Sequence, residues 1–297
     1  MDFSSVRERA FIDLVRWAPK GTYSRLIGYL ADRKLPRPVR APVYKAFAAR
    51  VGASIAEAER PLEDYPTLGA FFTRKLKPGL RPIHKDAGAV VSPCDGAVAE
   101  SGVVSAGQLI QAKGQHYPLF GLLCDRAGAA RFEGGTYVTI YLAPKDYHRV
   151  HFAVEGQVTG FQHVPGALFP VNAAAAKYVG ALYTRNERLI TYQDSPIGEV
   201  ATVMVGATAV GRISVTYDAV QTHAPGKGRP GPRVRFATPR AVARGDELGT
   251  FHLGSTVVML FEPGRVQLHD LQPGKTLRLG QLIALQASAE ARGGAAA

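Results

Sequence analysis

The sequence predicts an α+β fold in which basic amphipathic helices precede a mostly antiparallel β barrel or sandwich. Apolar residues make up 46% of the 297 residues, which is enough to bury a sizeable core. Up to about residue 80 the apolar residues recur at helical spacing. From about residue 88 short apolar runs alternate with Gly- and Pro-rich turns, which is typical of antiparallel strands. We therefore divide the chain into a helical region, 1–80, and a β-rich core, 81–297.

Four predicted helices in the N-terminal region share an apolar face and basic residues elsewhere. Their apolar positions are Val6, Ala10, Leu14 and Trp17; Tyr23, Leu26, Ile27 and Leu30; Val43, Phe47 and Val51; and Phe71 and Phe72. Thr22 is predicted to cap the second helix, and Thr67 the fourth, which is predicted over LGAFFTRKL (68–76). A proline cluster at 36–42 is predicted to separate the second helix from the third.

The charge of the chain favours an anionic partner. Lys and Arg number 36 against 24 Asp and Glu, and residues 1–80 alone hold 15 Lys and Arg against 8 Asp and Glu. Basic amphipathic helices suit the surface of an acidic membrane, although a helical cap packed on the core has the same pattern. No nucleic-acid-binding motif accompanies the charge. No run of about 18 apolar residues predicts a membrane-spanning helix.

The core is predicted to consist of short strands. The candidates are YVTIYL (137–142), ATVMVGA (201–207), RISVTY (212–217), TVVMLF (256–261) and LIALQ (282–286). Residues 224–233 are predicted to form a basic loop and residues 290–297 a disordered tail. Two cysteines, Cys94 and Cys124, cannot form a disulfide framework, so a reducing compartment is the default.

Three local clusters contain side chains that could take part in catalysis. SPCDGAV (92–98) contains Asp95, YLAPKDYHRVHF (141–152) contains His148 and His151, and HLGSTVVMLF (252–261) contains Ser255 at the mouth of an apolar strand. Each cluster has a structural explanation of its own, as a turn, a local cap or the start of a strand. Together they supply a carboxylate, an imidazole and a hydroxyl, the groups of an activated nucleophile. Their spacing leaves open whether they meet in space.

Several other chemistries are weakly supported. The two histidines could bind a metal, but no Cys pair or HExxH motif accompanies them, so no metal site is predicted. Cys94 has no neighbour that would lower its pKa. No Gly-x-Ser-x-Gly motif indicates an α/β-hydrolase. A serine hydrolase or peptidase acting on an external bond, and a β-barrel carrier or phosphocarrier with a reactive histidine, remain as alternatives.

At these clusters the sequence resembles the phosphatidylserine decarboxylase family, in its bacterial membrane-associated form. The resemblance extends from about residue 65 over most of the chain, and its segments occur in the order of the family. They are FFTRKLKPGLRPI (71–83), SPCDGAV, AKGQHYPLFGLL (112–123), YLAPKDYHRVH, PGALFPVN (165–172), RNER (185–188), VGATAVGRI (205–213) and HLGSTVVMLF.

The resemblance implies a self-processing enzyme without an imported cofactor. Autocatalytic serinolysis between Gly254 and Ser255 would give a β chain, 1–254, and an α chain, 255–297, with a covalent pyruvoyl group derived from Ser255. The pyruvoyl group would form a Schiff base with phosphatidylserine, which then yields phosphatidylethanolamine and carbon dioxide. Glycine before the serine leaves the attacked carbonyl accessible.

The resemblance also implies roles for the three clusters. His151, oriented by Asp95, would deprotonate Ser255 for self-cleavage, and His148 is the candidate proton donor in turnover. The two histidines could exchange these roles. A lipid substrate makes membrane docking by the helices the favoured hypothesis, at the cytoplasmic face of the inner membrane. The sequence leaves the oligomeric state open, with a homodimer as one option.

Overall fold

The computed structural model describes residues 20–112, 115–208, 212–222, 231–252 and 254–288, with side chains from Leu26 onward. The first predicted helix and the predicted C-terminal tail lie outside these ranges, as does most of the predicted basic loop. In the described part of the chain, no helix has both the length and the apolar character needed to cross a bilayer.

The helices are short, and most strands are too. The helices are α1 (Lys20–Ala31), α2 (Arg37–Val51), α3 (Leu68–Phe72), α4 (Leu119–Leu123), α5 (Arg126–Ala130), α6 (Ala173–Tyr178) and α7 (Leu182–Arg185), with a 3₁₀ helix over Leu62–Asp64. The strands are β1 (Ala89–Val91), β2 (Gly96–Val103), β3 (Gln108–Ala112), β4 (Gln115–Pro118), β5 (Thr136–Leu142), β6 (Arg149–His151), β7 (Gly156–Val164), β8 (Arg188–Ser195), β9 (Gly198–Gly206), β10 (Ile213–Val215), β11 (Val234–Val242), β12 (Glu247–Phe251), β13 (Ser255–Phe261), β14 (Val266–Leu268), β15 (Thr276–Leu277) and β16 (Leu282–Gln286).

An eight-stranded antiparallel sheet forms the centre of the molecule. Its strand order is β11-β7-β8-β9-β13-β5-β2-β15, so β13 lies between β9 and β5 near the middle. Two three-stranded sheets, β1-β16-β14 and β10-β12-β6, and the hairpin β3-β4 complete the β structure of the described residues. The α+β class and the antiparallel core are therefore confirmed. The eight strands do not close into a barrel, because the edge strands β11 and β15 do not pair with each other.

The two faces of the central sheet bury separate cores, as the alternation of side chains along a strand requires. Val257, Met259 and Phe261 of β13 belong to one apolar cluster, together with Val150 and Phe152 beside β6. Val258 and Leu260 belong to a second cluster that includes residues of α4, α5, α6 and α7. All seven residues of β13 are buried, so the predicted core strand is confirmed.

The helical region packs around a small core of its own, in which the rings of Tyr44 and Phe71 stack at 5.1 Å. Thr67 caps α3 as predicted, with its hydroxyl oxygen accepting from the Ala70 amide at 3.0 Å. Three predicted details are wrong. Helix α1 begins at Lys20, so Thr22 lies inside it. Helix α3 ends at Phe72, where Thr73 turns its hydroxyl back onto the Gly69 carbonyl.

The extent of the proline cluster is the third correction: Pro36 lies between α1 and α2, at the N-cap of α2, but the other two prolines do not. Pro38 and Pro42 both lie within α2, which starts at Arg37. Proline is tolerated in the first turn, where the missing N–H would have no helical partner. Pro42 comes one turn later and removes the bond to the carbonyl of residue 38, which shortens the ladder without ending the helix.

Candidate functional site

The three predicted clusters meet at one edge of the central sheet. Ser255, the first residue of β13, pairs with Leu142 at the end of β5 and with Gly206 at the end of β9. Asp95 directly precedes β2, which begins at the same edge because Ala97 pairs with Tyr141. The chain leaves β5 and enters the segment that carries both histidines. The antiparallel strand order therefore brings together a carboxylate, two imidazoles and a hydroxyl that are far apart in sequence.

Ser255 is buried at the start of β13 and follows a glycine with a left-handed backbone conformation. Its side chain points to the same face of the sheet as Val257, the face that also carries the β6 segment. Its hydroxyl oxygen is fully buried and has no hydrogen-bond partner among the described residues. Gly254 has φ +66°, and a Cβ there would lie 3.2 Å from the Thr208 carbonyl oxygen. The glycine predicted before the serine thus satisfies both a left-handed backbone and a close approach.

His151 is positioned by backbone and by a tyrosine. Its Nδ1 lies 2.8 Å from the Gly245 carbonyl oxygen, which only accepts, so Nδ1 carries the proton. Its Nε2 accepts from the Tyr147 hydroxyl at 3.2 Å. Burial lowers the pKa of His151, and the bond to Gly245 and the charge of Glu247 oppose this in part. The imidazole is therefore a neutral base, with its lone pair on Nε2.

His148 is more deeply buried and also neutral. Its Nδ1 donates to the Asp146 carbonyl at 2.9 Å, and its Nε2 has no hydrogen-bond partner among the described residues. Burial lowers the pKa of His148 to about 4, against the opposing effect of the Asp146 carbonyl. The Phe72 ring covers it, with ring centroids 4.1 Å apart. In this state Nε2 can take a proton, and can donate one only after taking it.

Asp95 is anchored by an arginine that the motif analysis did not single out. Arg81 donates to both carboxylate oxygens, with a shortest distance of 2.6 Å, and the Leu279 amide donates at 2.9 Å. These bonds raise the pKa of the Arg81 guanidinium. In the described part of the chain no hydrogen bond joins Asp95 to His151, whose Nδ1 faces Gly245 instead. The orientation of His151 by Asp95 therefore stays a prediction.

The edge of the sheet opens on two cavities. An apolar cavity of about 370 Å³ has Gly254 and Thr208 at one end, while its walls come from α1, α2 and α3. Phe72 contributes to this wall on the side that covers His148. A second cavity, of about 240 Å³, is lined by His151, Tyr147, Arg81 and neighbouring lysines. Gly254 thus lines an apolar cavity whose other walls come mostly from the helices, and His151 lines a polar, basic one.

Asn186 is a further residue that the motifs contained without revealing its role. It is fully buried, and its amide nitrogen donates to the carbonyls of Phe169 and Gly206, at 2.8 and 2.9 Å. Its amide oxygen accepts from the Phe169 amide. Asn186 therefore ties the PGALFPVN loop to Gly206, the residue paired with Ser255. Asn186 belongs to the RNER segment, which the sequence analysis identified as part of the resemblance. Its contact with Gly206 cannot be read from the spacing of residues in the sequence.

The family described as Phosphatidylserine decarboxylase matches residues 68–285. The chain belongs to this family. It is 48% identical to a phosphatidylserine decarboxylase proenzyme of Anaeromyxobacter sp. (strain K), over 93% of this chain and 98% of the relative. It is 43% identical to the proenzyme of Myxococcus xanthus and 40% identical to that of Saccharophagus degradans, over 94% of this chain in each case. The predicted resemblance is confirmed. The family match begins at residue 68, while the alignments with these relatives also take in most of the N-terminal region.

Membership of the phosphatidylserine decarboxylase family makes the protein a carboxy-lyase. The site supports neither a bound metal ion nor a nucleophilic Cys94. No group of three or more His, Cys, Asp or Glu side chains could hold a metal among the described residues. Cys94 is fully buried, and burial raises the pKa of its thiol well above the ordinary value, which disfavours the thiolate that a nucleophile needs.

Proposed function

We propose that this protein converts phosphatidylserine to phosphatidylethanolamine and carbon dioxide after cutting itself between Gly254 and Ser255. The observation that carries the proposal is the Ser255 hydroxyl, which is buried, without a partner and next to a glycine at φ +66° on an apolar cavity. A buried hydroxyl without a partner is costly for stability, and Ser255 differs from Thr139, which is in the same state, because it follows a glycine that lines a cavity. The proenzyme names of the relatives support self-processing.

Self-cleavage would use side chains from the three clusters described above. A neutral histidine, His151 in our assignment, removes the proton of the Ser255 hydroxyl, and the oxygen attacks the Gly254 carbonyl carbon. The peptide C–N bond breaks, the nitrogen is protonated, and an ester joins the two residues. A base then removes the Cα proton of residue 255 and the Cβ–O bond breaks, which leaves a Gly254 carboxylate and a dehydroalanine at position 255. Water converts the dehydroalanine to a pyruvoyl group and releases ammonia.

Residue 255 is a suitable position for a pyruvoyl group, because the hydroxyl from which it would derive is buried and the residue before it, Gly254, lines the apolar cavity. A pyruvoyl group would supply a carbonyl that withdraws electrons as carbon dioxide leaves. The surrounding residues would exclude water, transfer a proton and position residue 255. Burial excludes water from the reacting atoms, and the Nε2 atom of His148 accepts and returns a proton. Asn186 holds Gly206 and the PGALFPVN loop beside residue 255.

The helices suit a substrate that stays in a membrane. Leu26, Tyr29 and Leu30 form an exposed apolar stripe on α1, and Val39 and Val43 form another on α2. Leu30 also lines the apolar cavity that ends at Gly254. Basic residues surround these stripes. We therefore infer that α1 and α2 lie on an anionic bilayer, with their basic residues toward the headgroups.

The setting we propose is the cytoplasmic face of the inner membrane, with the protein bound peripherally. Both cysteines are free, as a reducing compartment allows. The partners we propose are phosphatidylserine and the protein's own two chains after cleavage, with a homodimer as one option for the assembly.

Intact-mass measurement of the purified protein tests the proposal. We expect two fragments, 1–254 and 255–297, with the second lighter by one ammonia than the encoded peptide. Ser255→Ala should remain whole and inactive, and His151→Ala should remain whole. His148→Ala should cleave at least in part and lose turnover. Thr139→Val, which removes another buried hydroxyl of the central sheet, serves as the matched control and should cleave normally.

Two outcomes would contradict the proposal. A chain that decarboxylates phosphatidylserine while residue 255 remains an ordinary serine would remove the pyruvoyl hypothesis. A chain that stays whole but hydrolyses external esters would favour the serine hydrolase alternative instead.

A further inference from the structure

Arg74 is a buried cation for which the fold provides no anion in contact. Its side chain lies in the interior, and the whole residue is 3% exposed. No hydrogen bond or ion pair joins its side chain to another described residue, and its Nε is buried without a partner. Its guanidinium carbon lies 5.2 Å from the centroid of the Phe71 ring. Burial is the main effect on the pKa of Arg74 and lowers it.

The chain shows elsewhere how it satisfies a buried arginine. Arg188 is 1% exposed, and its guanidinium donates to the carbonyls of Gly121, Leu122, Thr184 and Asn186 and to the Cys124 sulfur. Arg81 binds two carboxylates, those of Asp95 and Glu57. Arg74 has neither kind of partner. A buried charge without a contacting counter-charge destabilises a fold, and the charges of Tyr65, Glu57 and Asp95, which raise the pKa of Arg74, do not outweigh the effect of burial.

Arg74 lies beside the site already described. It follows Phe72, whose ring covers His148 and lines the apolar cavity that contains Gly254. The Arg149 side chain donates to the Thr73 carbonyl at 3.0 Å, which ties this segment to the strand between the two histidines. Lys75, the next residue, lines the second cavity together with His151. Arg74 itself lines neither cavity, but in the sequence it lies between these two lining residues, one of each cavity.

An electrostatic effect agrees with this position. Burial and the Asp146 carbonyl have the largest effects on the pKa of His148, and after them the charge of Arg74 lowers it further. The charge of Arg74 also lowers the pKa of Asp146, against the larger effect of burial. The guanidinium is thus within electrostatic reach of the histidine that we assign to proton transfer.

We propose that Arg74 binds the phosphodiester of the substrate headgroup and thereby positions the serine amine at residue 255. The inference rests on the proposed function, whose substrate carries two anionic groups, a phosphodiester and a carboxylate. A guanidinium matches phosphate oxygens with two parallel N–H donors.

The phosphodiester suits Arg74 better than the carboxylate does. A cation held on the carboxylate would stabilise the ground state and lose its partner as neutral carbon dioxide forms, so it would raise the barrier. The phosphodiester keeps its charge from substrate to product. Binding to it contributes equally to the ground state and the transition state, and therefore acts on KM and not on kcat.

The first test measures binding without turnover. The full-length Ser255→Ala chain is titrated with glycerophosphoethanolamine, which has the phosphodiester and lacks the carboxylate, while its thermal unfolding is followed. We expect a concentration-dependent rise in Tm, because a ligand that binds only the folded state stabilises it. The double variant Ser255→Ala/Arg74→Met should show no rise, whereas Ser255→Ala/Arg60→Met should show the same rise as Ser255→Ala. Arg60 is an exposed arginine of the same region, so the control removes the same charge.

The second test measures kinetics with phosphatidylserine in mixed micelles of a nonionic detergent. Arg74→Met should raise KM by about ten-fold or more, as expected for loss of a hydrogen bond between charged groups, and should leave kcat within about three-fold. Arg74→Lys, which keeps the charge without the planar pair of donors, should lie in between. Arg60→Met should keep KM within about two-fold. Intact mass and Tm of each variant establish that it has folded and processed.

Three results would overturn the assignment. A lower kcat at unchanged KM would mean that Arg74 acts through His148. Stabilisation by free serine, which has the carboxylate and lacks the phosphodiester, that is lost in Arg74→Met would assign Arg74 to the carboxylate. Unchanged binding of glycerophosphoethanolamine by the Arg74→Met variant would remove the anion site. Because the first test uses an uncleavable chain, failure of the pyruvoyl proposal alone would leave it unaffected.

Discussion

The chemistry of His148 and His151 depends on their protonation state as much as on their identity. His148 and His151 each donate from Nδ1 to a backbone carbonyl, Asp146 in one case and Gly245 in the other. Carbonyl oxygens cannot donate, so both rings are held in the tautomer that has its lone pair on Nε2. Burial lowers the pKa of both rings and keeps them neutral. Both histidines can therefore serve as bases near neutral pH, which is why their identities alone do not divide the two roles.

The lowered pKa of His148 predicts a stability that depends on pH. The ring is neutral in the folded state down to about pH 4, whereas its ordinary pKa is 6.5. The unfolded chain binds the proton first, so stability is full above pH 6.5 and falls as the pH drops toward 4. Between pH 7 and pH 4.5 the Ser255→Ala chain should lose about 2.5 kcal/mol more free energy of unfolding than Ser255→Ala/His148→Gln does. Denaturant titrations at the two pH values measure this difference.

The control for this experiment is the exposed ring of His116. His116→Gln in the same background makes the same substitution on the surface and is the matched control for the change of residue. If Ser255→Ala and Ser255→Ala/His148→Gln lost the same free energy of unfolding between the two pH values, His148 would not be held neutral by burial.

At the scale of elements, the position of β13 explains how a cut chain can remain folded. The strand begins at Ser255 and pairs over its full length with β5 on one side and β9 on the other. Beyond it, β15 pairs with β2 and β16 pairs with β1. Segments on both sides of the proposed cut are therefore joined by four strand pairings and by the two buried faces of β13.

This arrangement predicts that cleavage leaves one stable particle. Fragments 1–254 and 255–297 should elute together in size exclusion under native conditions and separate only in denaturant. The physical reason is that release of β13 would expose a strand buried on both faces and leave the amides and carbonyls of two neighbours unpaired. A fragment 255–297 that elutes by itself from a cleaved sample in native buffer would contradict this prediction.

For the whole molecule, the helices and the sheet form one site from two regions. Helices α1, α2 and α3 supply most of the wall of the apolar cavity, and Gly254, which directly precedes β13, is also part of the wall. A weak ion pair between Asp32 and Arg212, at 3.4 Å, adds a link between α1 and the core. The helical region is therefore both a cover for the site and the candidate surface for the membrane.

Vesicle binding tests the membrane surface. The protein should sediment with vesicles rich in anionic lipid, and less of it should do so in about 1 M salt, where the Debye length is about 3 Å. Leu26→Glu/Val43→Glu should weaken binding at low salt without lowering Tm, because both side chains are exposed. Val103→Glu changes an exposed apolar residue of β2 instead and should bind like the parent. If the parent, Leu26→Glu/Val43→Glu and Val103→Glu bound vesicles equally, the membrane contact would lie on another surface.

The sequence by itself determined the class of fold, most core strands and the residues of the three clusters. The apolar runs that predicted β5, β9, β13 and β16 depend on local pattern, and a strand buried on both faces has a strong local pattern. The motif residues Asp95, His151, Ser255 and Gly254 carried the family resemblance because their chemistry is specific. Helix limits were less well predicted, since Pro42 was tolerated inside α2 and Thr73 ended α3 by a local bond.

Only the tertiary structure decided which groups touch. The partners of the site come from distant parts of the chain: Gly245 for His151, Arg81 for Asp95 and Asn186 for Gly206. Such contacts depend on strand order and register, which involve long-range pairing and leave no periodic signal in the sequence. The burial of Arg74 without a partner is likewise a property of the packed interior. Local pattern specifies elements, whereas the environment of a charge or a proton exists only once those elements are assembled.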